Sequence, residues 1–297
     1  VTKAAYRVLG REVERRVEAL IVDGDAAFDL TDQARLVWKG VDVAWLVKGA
    51  NALAPRICLA ASELLDQPQR QAVEKRLSRW LDVEIKTRLM PLIKLRDASL
   101  TGAVRGLAFQ VVEGFGVVQR KAAGQQLRAL EKRDYSALKS LGVRLGRREI
   151  FIPALIKPKP AVLAAKLWAV FNELKHVPDL PPPGRVSTML KDSMDLQFLR
   201  VGGYRQAGPL VVRVDILERL IGQLRKRAAN GSFTPDPDLL NLTGCSLEQM
   251  MGVIESLGYS RVGEGDDVRF EIAVQSPKKR TPPSRGMPKD RTGSAET

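Results

Sequence analysis

The chain has 297 residues, long for one compact unit, and 44% of them are apolar, enough for real hydrophobic cores and too many for disorder throughout. Lys and Arg outnumber Asp and Glu by 48 to 34, a formal net charge of +14 that points to a polyanionic partner. No stretch approaches the roughly 18 uncharged apolar residues of a membrane span. No secretory signal is visible, and Cys58 and Cys245, far apart and without a CxxC partner, exclude a disulfide framework and fit a reducing cytosol. With Val at position 1, the expectation is a soluble, cytoplasmic fragment of a longer chain, with about two domains and no membrane partner.

The first segment predicts a helix: Tyr6, Leu9, Val13, Val17 and Leu20 recur at spacings of three and four, Thr2 is a candidate N-cap and Asp23-Gly24 a stop. In ARLVWKGVDVAWLVKG (34–49), Val41, Val43, Trp45 and Val47 alternate at period two behind Gly40, predicting a hairpin, with RICLA (56–60) a candidate third strand. From Ser62 the helical period returns in Val73, Leu77, Leu81, Ile85 and Leu89, to be kinked or ended by Pro91. A second helix, capped by Thr101, carries Val104, Leu107, Val111 and Phe115 and is expected to pack against the first. A further helix after Pro160 presents Leu163, Leu167, Val170, Phe171 and Leu174 and stops before Pro178.

PDLPPPGR sustains neither helix nor central strand, so 177–192 reads as a stiff linker and a domain boundary. Beyond it, Asp215 is a candidate cap for a helix with Leu217, Leu220, Ile221 and Leu224 inward. A short helix over 237–243 follows, then a turn at Gly244 and a third helix capped by Ser246 and ended by Gly258. RVGEGDDVRFEIAV then reads as a β-hairpin. Helix, helix-turn-helix and hairpin is the order of a winged helix. The expected architecture is α+β and mostly helical: an N-terminal helix plus small β element (1–61), a helical region (62–176), the Pro-rich linker (177–192), a winged-helix-like module (193–274) and a disordered basic tail (275–297).

The charge is unevenly placed. Residues 119–148 hold nine basic residues (Arg120, Lys121, Arg128, Lys132, Arg133, Lys139, Arg144, Arg147, Arg148) against Glu131 and Asp134, a balance of +7 and half of the total excess. In a helix over 119–132, Lys121, Arg128 and Lys132 would fall within about 40° of one another, opposite Ala123, Leu127 and Leu130. Such a solvent-facing stripe, continued by Arg144, Arg147 and Arg148 around Gly142 and Gly146, suits phosphate contact by charge. The alternative is an ordinary solvated helix face. Tyr135 and Phe151 are the only aromatics nearby, poor support for a base-stacking platform.

The winged-helix segment has the opposite balance, seven basic and ten acidic residues over 209–274. Its third helix offers Glu248, Gln249 and Glu255 and no cation, which disfavours groove reading. Arg219, Arg225, Lys226 and Arg227 on its first helix form a secondary contact surface, and Cys245 reads as a buried structural thiol. No catalytic centre is recognisable. There is no Gly-Lys pair for a phosphate-cradling loop, the single histidine, His176, stands beside a Pro-rich stretch as a surface residue, and Asp266-Asp267 sit in a glycine-rich turn. No metal site is expected.

Four phrases carry a family resemblance: ARLVWKGVDVAWLVKG (34–49), LGVRLGRREIFIPALIKP (141–158), VGGYRQAGPLVVRVDILERL (201–220) and LNLTGCSLEQMMGVIESLGY (240–259). Together they resemble the region C-terminal to the motor in bacterial superfamily-two helicases related to the mitochondrial RNA-degradosome helicase. The resemblance implies an accessory region that helps grip or route a strand beside two RecA-like lobes, its partner in cis. ATP and magnesium belong only to that motor, whose motifs are absent here. Two readings follow: sequence-tolerant binding of RNA or DNA through 119–148, or a protein-interaction scaffold in which the acidic winged helix and basic tail recruit partners. Phosphate contacts do not distinguish RNA from DNA, and no oligomeric state is implied.

Overall fold

Lys39 and Gly40 both take positive φ, 48° and 80°, the backbone of a two-residue turn whose twist matches paired strands. They join β2 (Arg35–Trp38) to β3 (Val41–Asn51), and β1 (Phe28–Leu30) and β4 (Ala54–Leu59) extend the pair into an antiparallel sheet of order β1-β2-β3-β4. The hairpin over 34–49 and the third strand after it are thus present, with β1 added at the edge. This computed structural model describes residues 3–60, 62–263 and 267–273; Thr2, Asp266 and the tail 275–297 lie outside them. Helix α1 (Lys3–Val22) precedes the sheet; its Leu20 is buried, whereas Leu9, on the same stripe, is 46% exposed.

Asp66 caps α2 (Gln67–Arg88) reciprocally: its carboxylate accepts the Gln69 N–H at 2.8 Å and the Gln69 side chain accepts the Asp66 N–H at 3.1 Å. Val73, Leu77, Leu81, Ile85 and Leu89 are buried, as their spacing predicts, and Trp80 with them. Pro91 opens a separate helix, α3 (Met90–Arg96), and α4 (Gly102–Glu113) follows Thr101, which makes no side-chain cap bond.

The helix expected across 119–132 does not form as one piece. Gln119 ends β5 (Val117–Gln119), where it pairs with Glu149, and Glu131 is extended at φ −94° and ψ 167° as the cap of α6 (Lys132–Ser140), exchanging bonds with Asp134. Extended backbone at both ends leaves room only for the five-residue α5 (Gly124–Arg128). With β6 (Arg144–Leu145) and β7 (Glu149–Phe151), β5 forms a sheet of order β5-β7-β6.

Helix α7 (Pro158–Phe171) begins two residues before Pro160 and is enclosed on several sides. Ala161, Ala164, Ala165 and Ala169 are buried beside Leu163 and Leu167, and these small side chains let β3, β4, α2 and α8 (Leu196–Val201) all approach it. Lys166 is buried among them, with Nζ 3.0 Å from the Leu30 carbonyl and 3.1 Å from Asp32.

The stretch 177–192 is not a free linker. Leu180 packs onto the first core, Pro181 is buried, and Ser187–Met189 forms β8, which pairs with β10 (Leu210–Arg213) beside β9 (Tyr204–Ala207) in the order β8-β10-β9. Proline removes donors at 178 and 181–183 and leaves the N–H groups of 187–189 free for the ladder. Among fully buried residues the first core ends at Val201 and the second begins at Ala207, while Val186 already packs against the second from within this stretch.

The second core is built by α9 (Val214–Ala228), α10 (Pro237–Thr243), α11 (Leu247–Ser256) and the hairpin β11 (Tyr259–Val262) and β12 (Arg269–Ile272). Asp236 and Ser246 cap α10 and α11, and Gly244 at φ 65° ends α10, all from short-range signals. Asp215 is not the cap of α9. Arg213 holds that position, and Asp215, the second residue of the helix, pairs with it at 2.7 Å. The protein is α+β, with small separate sheets among helices.

Candidate nucleic-acid interface

The β6–β7 hairpin turns through Gly146, Arg147 and Arg148, and its tip is fixed from three sides. The Arg120 N–H donates to the Arg148 carbonyl at 2.8 Å, and the Arg120 guanidinium donates to the Gly146 carbonyl at 2.9 Å. From α9, the Glu218 carboxylate accepts three consecutive backbone N–H groups: Arg147 at 2.6 Å, Arg148 at 2.8 Å and Glu149 at 2.8 Å. A Cβ on Gly146 would lie 2.5 Å from that carboxyl carbon, so close approach requires glycine here.

Behind the tip, Arg205 and Glu149 form a two-point ion pair at 2.8 and 2.9 Å, both side chains under 10% exposed. Burial pushes the Arg205 guanidinium down from its ordinary value and Glu149 opposes that shift. The pair ties β9 to β7, and so one core to the other. Its worth is geometric as much as energetic, since burying two ions costs nearly what their attraction returns.

Two clefts meet at this tip. The first, about 670 Å³, has Arg120, Lys121, Arg128, Arg147 and Arg148 in its wall, together with Gln206 and the paired Glu149 and Arg205. The second, about 570 Å³, lies between the tip and the β11–β12 hairpin, where Arg147 and Arg148 are joined by Arg225, Tyr259 and Ile272. Lys121, Arg128, Arg147, Arg148 and Arg225 are exposed, and among the described residues none pairs with a carboxylate side chain. Arg148 donates to the Leu257 carbonyl at 3.0 Å, which orients it across the second cleft.

The remaining basic positions fall elsewhere. Lys132, Arg133 and Lys139 are exposed on α6 and line neither cleft, and Arg133 pairs with Glu131 at 3.1 Å. The expected single face of Lys121, Arg128 and Lys132 is therefore corrected: the break at Glu131 separates Lys132 from the other two. Arg144, at the start of β6, is exposed but outside both clefts. On α9, Arg219 and Lys226 are exposed away from the clefts, whereas Arg227 binds Asp236 with Nε at 2.9 Å and is not a free contact.

Sequence periodicity misses Arg205, Gln206, Glu218, Tyr259 and Ile272. Of the two aromatics near the basic segment, Phe151 is fully buried and Tyr135 stands on α6. The aromatic at the interface, Tyr259, comes from over a hundred residues away and carries no local signal.

On α11, Gln249 returns the Ser246 cap and contacts the Met189 sulfur at 3.0 Å, so its amide already serves the fold. The Cys245 thiol sits 3.0 Å from the Thr243 hydroxyl and is half-buried, not buried as expected, and desolvation pushes its pKa up. His176 is exposed. Among the described residues no His, Cys, Asp and Glu side chains cluster as metal ligands, and no helix is long and apolar enough to cross a membrane. No protein-family model, curated protein or solved structure matches this chain.

Proposed function

We propose that this chain is a nucleic-acid-binding accessory region of an ATP-dependent helicase, gripping the sugar-phosphate backbone by charge beside motor lobes that the sequence does not contain. One observation carries the reading: two clefts converge on Arg147 and Arg148, and Lys121, Arg128, Arg147, Arg148 and Arg225 in their walls have no carboxylate partners among the described residues, unlike Arg205, which pairs with Glu149. Cations gathered in a concave wall suit a chain of phosphates, and their lack of base-edge chemistry suits sequence tolerance. In this reading α9, α10, α11 and the β11–β12 hairpin are a winged helix whose third helix stays off the strand, the chain alone turns over no ATP, and RNA and DNA are both ligands.

The test is equilibrium binding of the 297-residue chain to single strands and tailed duplexes across about 50 to 200 mM salt. Affinity should fall steeply as condensed counterions are released. Salt-insensitive binding, or none at low salt, would overturn the reading.

A scaffold role has one observation of its own. Leu247 and Met189 are 49% and 46% exposed on neighbouring elements, beside Glu248. In that reading the acidic, apolar face docks a protein and the clefts stay empty of nucleic acid.

A further inference from the structure

The second cleft differs from the first in chemistry. In the first, the cations stand with polar or aliphatic neighbours such as Gln119, Gln206 and Leu127. In the second, the same two tip arginines and Arg225 face Tyr259 and Ile272, which are directly paired across the β11–β12 ladder and so share one face of that hairpin. Tyr259 is half-buried: its ring meets that of Phe233 in a T-shaped arrangement at a centroid distance of 5.6 Å, while the residue still lines the cleft. Ile272 is 63% exposed, unusual for an apolar residue inside a basic recess. Burial pushes the Tyr259 hydroxyl up from its ordinary value, and the charges of Arg225, Arg148 and Arg147 oppose that shift. Charge alone would need neither side chain.

We infer that the cleft between the β6–β7 tip and the β11–β12 hairpin holds one unstacked nucleotide of a bound strand, its phosphate on Arg225 and Arg148 and its base against Tyr259 and Ile272. This rests on the phosphate-gripping reading and adds a base-dependent site to it. Bases packed within a duplex do not present a face to such a cleft, so the site selects single strands. It has no base-edge partner and tolerates sequence.

The test compares an oligouridylate of about 12 nucleotides with an abasic ribose-phosphate strand of equal length, using the full chain. The base-bearing strand should bind about fivefold to tenfold more tightly, in keeping with partial stacking on one ring. Ile272→Ala, a change at an exposed position, and Tyr259→Leu, which keeps an apolar contact to Phe233, should each bring that ratio towards one while leaving abasic affinity unchanged. Arg225→Ala should weaken both strands together. Thermal unfolding checks that each variant is folded, and Ile272→Ala decides alone if Tyr259→Leu is not. Abasic binding with a ratio near one in the wild type, or a ratio that Ile272→Ala leaves intact, overturns this inference and spares the phosphate reading. Binding to neither strand overturns both.

Discussion

Helix α6 and the β6–β7 tip lie in one basic segment, carry similar densities of positive charge and present it in opposite ways. On α6, Lys132, Arg133 and Lys139 stand on a convex surface, each free to be solvated separately, and one already has a carboxylate neighbour. At the tip, Arg147 and Arg148 are fixed by Glu218, Arg120 and the Leu257 carbonyl and sit between two concave walls. Concavity holds several cations at once near one polyanion, and rigidity lowers the entropy cost of binding. In the proposed reading, local charge density is a poor guide to a binding surface when the backbone that carries it is not considered.

The comparison can be broken first at the support of the tip. Glu149→Ala leaves the Arg205 guanidinium buried without its partner, and should lower unfolding free energy by about 3–5 kcal/mol. A shift in the urea midpoint measures it. A change near zero would mean that the pair does not hold the two cores together.

Next comes charge reversal. Changing Lys121, Arg128 and Arg147 together to Glu should weaken strand binding by about 30-fold or more at ~50 mM salt and lower the log–log salt slope by about 0.7–0.9 for each phosphate no longer neutralised. The matched α6 triple, Lys132→Glu, Arg133→Glu and Lys139→Glu, should change affinity by less than about threefold, the effect of net charge alone. Arg148 is left intact in both because its guanidinium also bonds the Leu257 carbonyl. Equal weakening by the two triples would show that position does not matter.

A smaller effect is expected at Glu218. Its replacement by Ala leaves three N–H groups without their acceptor, and should lower stability by about 1–3 kcal/mol. Amide hydrogen exchange at residues 147–149 should speed up specifically. Unchanged exchange there would mean that Glu218 does not organise the turn. Smallest of all, Gln249→Ala with Glu255→Ala should change nucleic-acid affinity by less than about threefold, because neither neutralises phosphate. A drop of about tenfold or more confined to some sequences would assign base reading to α11.

Much of the fold is legible in the sequence because its signals are short. The α2 stripe, the Lys39-Gly40 turn, the Gly244 stop and the Ser246 cap each depend on residues within a few positions of one another. The departures share a cause. Helical periodicity over 119–132 runs through Gln119 and Glu131, whose extended backbones are set by a strand partner thirty residues away and by a capping exchange. The Pro-rich stretch hides β8 because a three-residue strand has too little alternation to stand out beside PPP.

The site divides the same way. The sign and amount of charge, its concentration in 119–148, the acidic balance of the C-terminal module and the absence of a phosphate-cradling loop all follow from the chain as written, because they are sums and short patterns along it. Which cations converge is a matter of long-range packing. Arg120, Arg148, Arg225 and Tyr259 are brought to the two clefts at the tip by a strand pairing, a carboxylate from α9 and a buried Arg205–Glu149 pair. A concave site is made by residues distant in sequence, and no periodicity of about 2 or 3.6 records such a meeting.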